Sequence, residues 1–342
     1  MKHRFPIPQF VTPDPHFAMR RRLLAAGAAA TATLFGVSAG AQIPFPAKSL
    51  QIVVSAAPGG SPDILARILA PKLAERLGKA VTVDNRVGGA GNIAAAHVAK
   101  SSPDGHTLFV AHDGLAINQT LFDNLPFHAT QSFAPVIQAF NSPQVLAVHS
   151  DVPAKTLAEF VSLARAHPEK YALASPAIGT TGQLGVLLLQ NAANIKVKPV
   201  VYRSAQPALT DVLGKHADGI FVTLAPALPH IKEGRLRALA VSTAKRDRAL
   251  PDVPTFAELG IKELTFASWQ GIVAPANTPR PVVERLNKEL NAILADSEVR
   301  AAFAKQAFEP VGGTPEEFAR LISESIDKWA AVIRANNIRA DA

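Results

Sequence analysis

Leu50-Gln51-Ile52-Val53-Val54-Ser55-Ala56-Ala57-Pro58-Gly59-Gly60-Ser61-Pro62 is the stretch from which the fold can be read. Its first five residues are a short β-branched run, the pattern of a buried strand. Pro58-Gly59-Gly60 turns the chain, and Ser61 is placed to cap a helix with Pro62 at its first position. Ile64, Leu65, Ile68, Leu69 and Leu73 then recur at helical spacing. Pro71 is expected to kink that helix, because it removes the bond to the Arg67 carbonyl.

The same alternation continues toward the C-terminus. Val81-Thr82-Val83, Thr107-Leu108-Phe109-Val110 and Tyr171-Ala172-Leu173-Ala174 read as further strands. Thr156 with Glu159, and Thr314 with Glu317, have the spacing of capping boxes ahead of apolar helical stripes. Thr278 before Pro279 is expected to start a helix over 283–294. Strands separated by helices of this length predict an α/β fold with parallel sheets. After residue 45 there is no short-period repeat and no low-complexity linker, so separate domains must be joined by ordered strands.

A length of 342 residues suggests about two domains. Arg20, Arg21 and Arg22, the apolar stretch Leu23–Val37 and Ala39-Gly40-Ala41 follow the order of a secretory signal peptide, with cleavage expected after Ala41. Met19 is a candidate true start, and the arginines leave twin-arginine export open beside the general route. Residues 1–41 carry five Lys/Arg against Asp14, so their removal lowers the net charge from +8 to +4. With no dense Lys/Arg block, nucleic acid is a poor partner, whereas a mild positive field suits an anionic solute. The chain has no cysteine, which excludes thiol chemistry and a disulfide framework.

Three glycine-rich turns are candidate ligand loops. Ala57-Pro58-Gly59-Gly60-Ser61 joins a strand to a helix, where free N–H groups favour an anion. Gly179-Thr180-Thr181-Gly182-Gln183 repeats that arrangement and adds two hydroxyls and an amide. Arg86 to Asn92 is the third, and close packing of a turn explains it equally well. Neither a dinucleotide fingerprint nor a P-loop is present. The histidines show no metal-ligating helical spacing, there is no G-x-S-x-G elbow, and Asp63, Asp84, Asp104 and Asp113 define no carboxylate pair. His112 beside Asp113, after a strand, is a candidate cleft pair.

In order along the chain, several stretches together resemble the Bug receptors, the periplasmic binding components of tripartite tricarboxylate transporters. They are Pro58-Gly59-Gly60-Ser61 with Asp63, Ala66 and Arg67; Val83-Asp84-Asn85-Arg86; Pro103-Asp104-Gly105-His106-Thr107-Leu108; Arg235 to Val241; Leu250-Pro251-Asp252-Val253-Pro254-Thr255; and Trp269-Gln270-Gly271 with Ala274-Pro275. The resemblance spans residues 46–342. It implies a two-lobed periplasmic binding protein of type II-like architecture, with parallel or mixed sheets and two crossing hinge strands. The lobes would be 46–144 plus 269–342, and 145–268, after an N-terminal extension and signal over 1–41. It further implies a solute carboxylate gripped by Ala57–Ser61 and Gly179–Gln183, no enzymatic activity, no cofactor and no metal.

Departures from the family pattern are Gln183 where a histidine is common, Tyr202-Arg203-Ser204 for Tyr-Lys-Gly, and Phe221-Val222 for Phe-Asp. Without that acidic group the solute is expected to be a carboxylate lacking a recognised ammonium, its apolar body near Val222 and Thr223; Asp113 is the alternative ammonium partner. The expected protein is a monomeric periplasmic receptor that delivers a small organic carboxylate to integral-membrane transporter subunits. The alternatives are a receptor for a sensor kinase and a cleft hydrolase or transferase.

Overall fold

The computed structural model describes residues 45–340. The signal peptide, its cleavage after Ala41 and the alternative start at Met19 lie outside the described residues. The deciding stretch folds as its pattern predicts: Leu50–Val54 forms β1 and Ser61–Leu77 forms α1. There follow β2 (Val81–Asn85), α2 (Asn92–Ala99), β3 (Thr107–His112), α3 (Gly114–Leu121) and the long strand β4 (Phe133–His149). Then come α4 (Leu157–Ala166), β5 (Ala172–Ser175), α5 (Thr181–Ala193), β6 (Lys198–Val201), α6 (Ala205–Leu213), β7 (Gly219–Thr223), α7 (Leu224–Lys232) and β8 (Leu236–Val241). The chain ends with β9 (Ala267–Pro275), α8 (Arg280–Ala295), α9 (Ser297–Lys305), β10 (Glu309–Gly312) and α10 (Pro315–Ala335).

Parallel pairing holds where helices intervene, in β2–β1–β3 and in β6–β5–β7. The sheet is nevertheless mixed, because β4 and β9 run antiparallel to their neighbours. β4 serves two halves of the molecule. From Phe133 to Pro143 it pairs with β9, and from Gln144 onward it pairs with β7 and β8. Pro143, the last residue paired to β9, has no N–H to continue a ladder. The chain crosses again just before β9, where the Phe266 N–H donates to the Ser242 carbonyl. The two halves form the two lobes of a periplasmic-binding-protein fold.

Each half has its own core. In the first, β1 and the fully buried Leu65, Leu69 and Leu73 of α1 pack with Leu286 and Leu290 of α8. Burying each leucine contributes roughly 1.5–3 kcal/mol. In the second, Leu146, Phe160, Leu173, Leu189 and Phe221 form the corresponding centre. A smaller cluster joins the halves: Ile117 and Leu121 of α3 and Trp329, Val332 and Ile333 of α10 meet Leu184 of α5.

Several caps differ from expectation. Gly60, not Ser61, is the N-cap of α1, because Ser61 already has helical geometry and its hydroxyl accepts from Gln270 Nε2 at 2.7 Å. The helix continues through Pro71 to Leu77. Thr314 and Glu317 form the full reciprocal box. At Thr156 the box is displaced, since Glu159 Oε2 accepts from the Lys155 N–H rather than from that of Thr156. Thr278 does not cap α8; its hydroxyl donates to the Pro275 carbonyl and Pro279 stands at the cap.

Candidate functional site

A cavity of about 840 Å³ opens between the halves, with the β1–α1 turn on one side and the β5–α5 turn on the other. On the first side Gly59 and Ser61 line it. Two of the expected backbone donors are already engaged. The Gly59 N–H donates to Asp63 Oδ2 at 2.9 Å, and the Gly60 N–H donates to the Ala57 carbonyl at 3.0 Å. The Ser61 N–H has no acceptor among the described residues, so the start of α1 presents this group. Gly59 takes φ +84°, which only glycine adopts without strain, and a Cβ on Gly60 would stand 2.7 Å from Ala56 Cβ.

Asp63 does not line the cavity. It is buried behind the turn, accepting from Gly59, from Arg67 Nε at 2.9 Å and from Asn85 Nδ2 at 2.8 Å. The Arg67 hydrogen bond holds its carboxyl down at about 2 against the effect of burial. Asp63 therefore shapes the loop rather than meeting a solute. Ala57, Pro58 and Gly60 also stand outside the cavity wall.

On the second side Gly179, Thr180, Thr181 and Gly182 line the cavity. The Thr180 side chain caps α5 by accepting from the Gln183 N–H, and its proton goes to the Pro176 and Ala177 carbonyls. Gln183 lies off the wall and closes its own loop, its Oε1 accepting from the Gly179 N–H at 2.8 Å. The Thr181 and Gly182 N–H groups have no acceptor among the described residues. The starts of α1 and α5 thus offer unpaired N–H groups to one cavity, where helix dipoles favour an anion.

His112 and Asp113 both line the cavity, and each is tied down. Asp113 Oδ1 accepts from the Trp269 N–H at 2.7 Å and Oδ2 from the Ser268 hydroxyl at 2.8 Å. Because Ser268 gives its proton to Asp113, it accepts from Thr181 and Gln144, whose Nε2 reaches both hydroxyls at 2.8 and 2.9 Å. This chain of bonds spans the crossing strands and the start of α5. Burial pushes the Asp113 carboxyl up to about 6, opposed by those hydrogen bonds. Burial also pushes His112 down to about 4.

Val222 is fully buried in β7 and is not part of the wall, whereas Thr223 is. The apolar surface expected at Val222 comes from elsewhere. Val87 and Ile178 are exposed apolar residues of the wall, whereas Phe140 and Phe308, stacked at 3.8 Å, are themselves almost fully buried. No lysine or arginine among the described residues lines the cavity.

Pattern reading missed Ser55, Asn118, Ser142, Gln144, Ser268 and Gln270, all lining residues. Ser55 and Gln270 stood in quoted stretches, Leu50–Pro62 and Trp269-Gln270-Gly271, without being singled out, and β3–β9 pairing sets Gln270 opposite His112. Ser55 Oγ lies 3.1 Å from His112 Nε2, the geometry of a nucleophile–base pair. It cannot act as one. The Gly114 N–H donates to Nδ1 at 3.0 Å, so a neutral ring carries its proton on Nε2 and has no lone pair to take the serine proton.

Comparisons with known proteins agree with this architecture. Residues 65–338 match the family model of the tripartite tricarboxylate transporter family receptor, TctC. Protein BugT of Bordetella pertussis is 33% identical over 292 residues, covering 85% of this chain and 90% of BugT. Among solved structures, R. palustris Rpa4515 with adipate is 32% identical with a TM-score of 0.75, covering 85% of this chain and 97% of that one. MatC (Rpa3494) from Rhodopseudomonas palustris with bound malate is 30% identical with a TM-score of 0.73, covering 84% and 100%. By fold, by family match and by relatives aligned over most of its length, this chain belongs to the tripartite tricarboxylate transporter receptor family, a family of solute-binding proteins.

Proposed function

We propose that this chain is an exported periplasmic receptor, without enzymatic activity, that captures a small organic carboxylate between its lobes and delivers it to a tripartite membrane transporter. The observation that carries this reading is the pair of helix starts, at Ser61 and at Thr181–Gly182, whose unpaired N–H groups line one cavity. An anion between them gains hydrogen bonds and a favourable dipole field from both sides. Relatives described with adipate and with malate support a carboxylate. The proposed lobes are residues 46–144 plus 269–342 and residues 145–268, and the proposed signal peptide ends at Ala41. No helix among the described residues is long and apolar enough to cross a membrane.

The solute is a carboxylate without a recognised ammonium group. A buried unpaired ammonium is costly, and Asp113, the acid on the wall, already accepts from Ser268 and Trp269. Exposed Val87 and Ile178 on the wall favour an apolar or aromatic body. A thermal-shift screen of mono-, di- and tricarboxylates, aromatic acids and their α-amino analogues tests this. A solute at 100 times its Kd should stabilise the protein by about 2.7 kcal/mol. Consistently larger shifts with the amino analogues, lost in Asp113→Asn, would overturn the assignment.

A further inference from the structure

Ser55 follows β1 and His112 ends β3, so parallel pairing of these strands sets the two residues side by side. The Gly114 N–H can only donate, so Nδ1 of His112 accepts and the neutral ring holds its proton on Nε2. That N–H is given to Ser55 Oγ at 3.1 Å. The serine oxygen is thereby fixed as an acceptor toward His112, and its own proton must be donated elsewhere. No acceptor for it occurs among the described residues, and Ser55 lines the cavity.

We propose that Ser55 is a solute-contacting residue whose hydroxyl proton is held toward a carboxylate oxygen of the bound acid by a neutral, Nε2-protonated His112. This rests on the receptor function proposed above and adds a donor to the two helix starts. A solute group that only donates would leave the serine proton unpaired, so the arrangement selects for an acceptor at this point.

The surroundings keep the pair in place. Gly91, at φ +91°, covers it so closely that a Cβ there would stand 3.3 Å from both His112 Nε2 and Ser55 Cβ. A Cβ on Gly114 would stand 2.5 Å from His112 Cε1. The turn carrying Gly91 is pinned by Asn118, whose Nδ2 donates to the Ala90 carbonyl at 3.1 Å and to Asn92 Oδ1 at 2.7 Å. The third glycine-rich turn is therefore the cover of the Ser55–His112 pair. The nearby acid, Asp113, directs its carboxylate to Ser268 and Trp269.

Ring ¹⁵N–¹H correlation spectra of the ¹⁵N-histidine-labelled protein test the pairing without a solute. His112 should show a proton on Nε2 and none on Nδ1 from pH 8 to pH 5. A proton on Nδ1, or titration near the usual histidine value, overturns it. Titrations with adipate and benzoate test the contact. Ser55→Ala should weaken binding by about tenfold or more. His112→Ala should do the same, and the double variant should be no worse than either single one. His112→Gln should recover much of the affinity, because its amide N–H can still donate to Ser55. Unchanged affinity in a Ser55→Ala protein with native melting behaviour overturns the proposal. If neither acid nor any other carboxylate of the thermal screen binds the unaltered protein, the carboxylate contact falls with the wider carboxylate reading, while the ring spectra still decide the hydrogen-bond pairing.

Discussion

Two adjacent, partly buried groups, His112 and Asp113, respond to pH in opposite senses. Burial raises the Asp113 carboxyl to about 6 from an ordinary 3.8, so folding favours its protonated form. Its contribution to stability is greatest below pH 3.8 and is lost as pH rises through 6. Burial lowers His112 to about 4 from 6.5, so folding favours its neutral form. Its contribution is present above pH 6.5 and is lost as pH falls through 4. Between pH 4 and 6 the two slopes oppose each other. Asp113→Asn should leave the histidine slope alone, and urea unfolding should then show stability rising by about 3 kcal/mol from pH 4 to 6.5. His112→Gln should show stability falling with pH over the same window. Parallel pH curves for the original protein and both variants would refute this account. Neither effect was legible in the pattern, because a His-Asp dipeptide looks the same on a surface as in a core.

Among the helices, the caps separate what local spacing decides from what a neighbour can take over. Thr314 keeps its reciprocal box with Glu317 because nothing else competes for either side chain. Thr314→Ala should therefore cost about 1 kcal/mol in urea unfolding. The same measurement on Ser61→Ala separates a cap from a tertiary contact. Ser61 does not cap α1, and its loss removes the acceptor of Gln270 Nε2 instead. Solute affinity and the placement of β9 should change in that variant more than helix stability. At the β1–α1 turn, Gly59 has open space around its missing Cβ but a positive φ, whereas Gly60 has a negative φ and Ala56 against it. Gly59→Ala should thus cost about 1–3 kcal/mol through backbone strain and distort the turn that presents Ser61. Wild-type stability and solute affinity in Gly59→Ala would remove that turn from the site.

Across the whole molecule, two strand crossings, a packed cluster and the Asp113–Ser268–Thr181 hydrogen bonds connect the lobes. The crossings lie at Pro143–Gln144 and at Phe266 before β9, and α10 packs across α5 through Trp329 and Leu184. Phe266 meets Trp329 edge to face at 5.1 Å, so the second crossing is anchored to that cluster. Exposed Val87 and Ile178, apolar residues of the cavity wall, would lose contact with water on closure. Closure about the crossings should reduce the radius of gyration measured by X-ray scattering when an acid identified by the thermal screen is added at saturation. An identical radius with saturating acid would exclude a clamshell.

The sequence by itself determined the α/β class and several elements, among them β1, β2, β3 and β5, but not the crossing strands β4 and β9. Strand runs, glycine turns and helical stripes are local periodicities, set by the bonding reach of a few neighbouring residues. It also located both helix starts that face the cavity. The tertiary structure alone decided which groups at those starts remain free. Gly59 gives its N–H to Asp63 and Gly179 gives its N–H to Gln183, while Ser61, Thr181 and Gly182 are left unpaired. It also decided the pairs that span the chain. Ser55 meets His112 across 57 residues and Asp113 meets Ser268 across 155. Those meetings depend on β1 pairing with β3 and β3 pairing with β9 in one register. A side chain's partners are set by that register and by burial, and no local spacing encodes either.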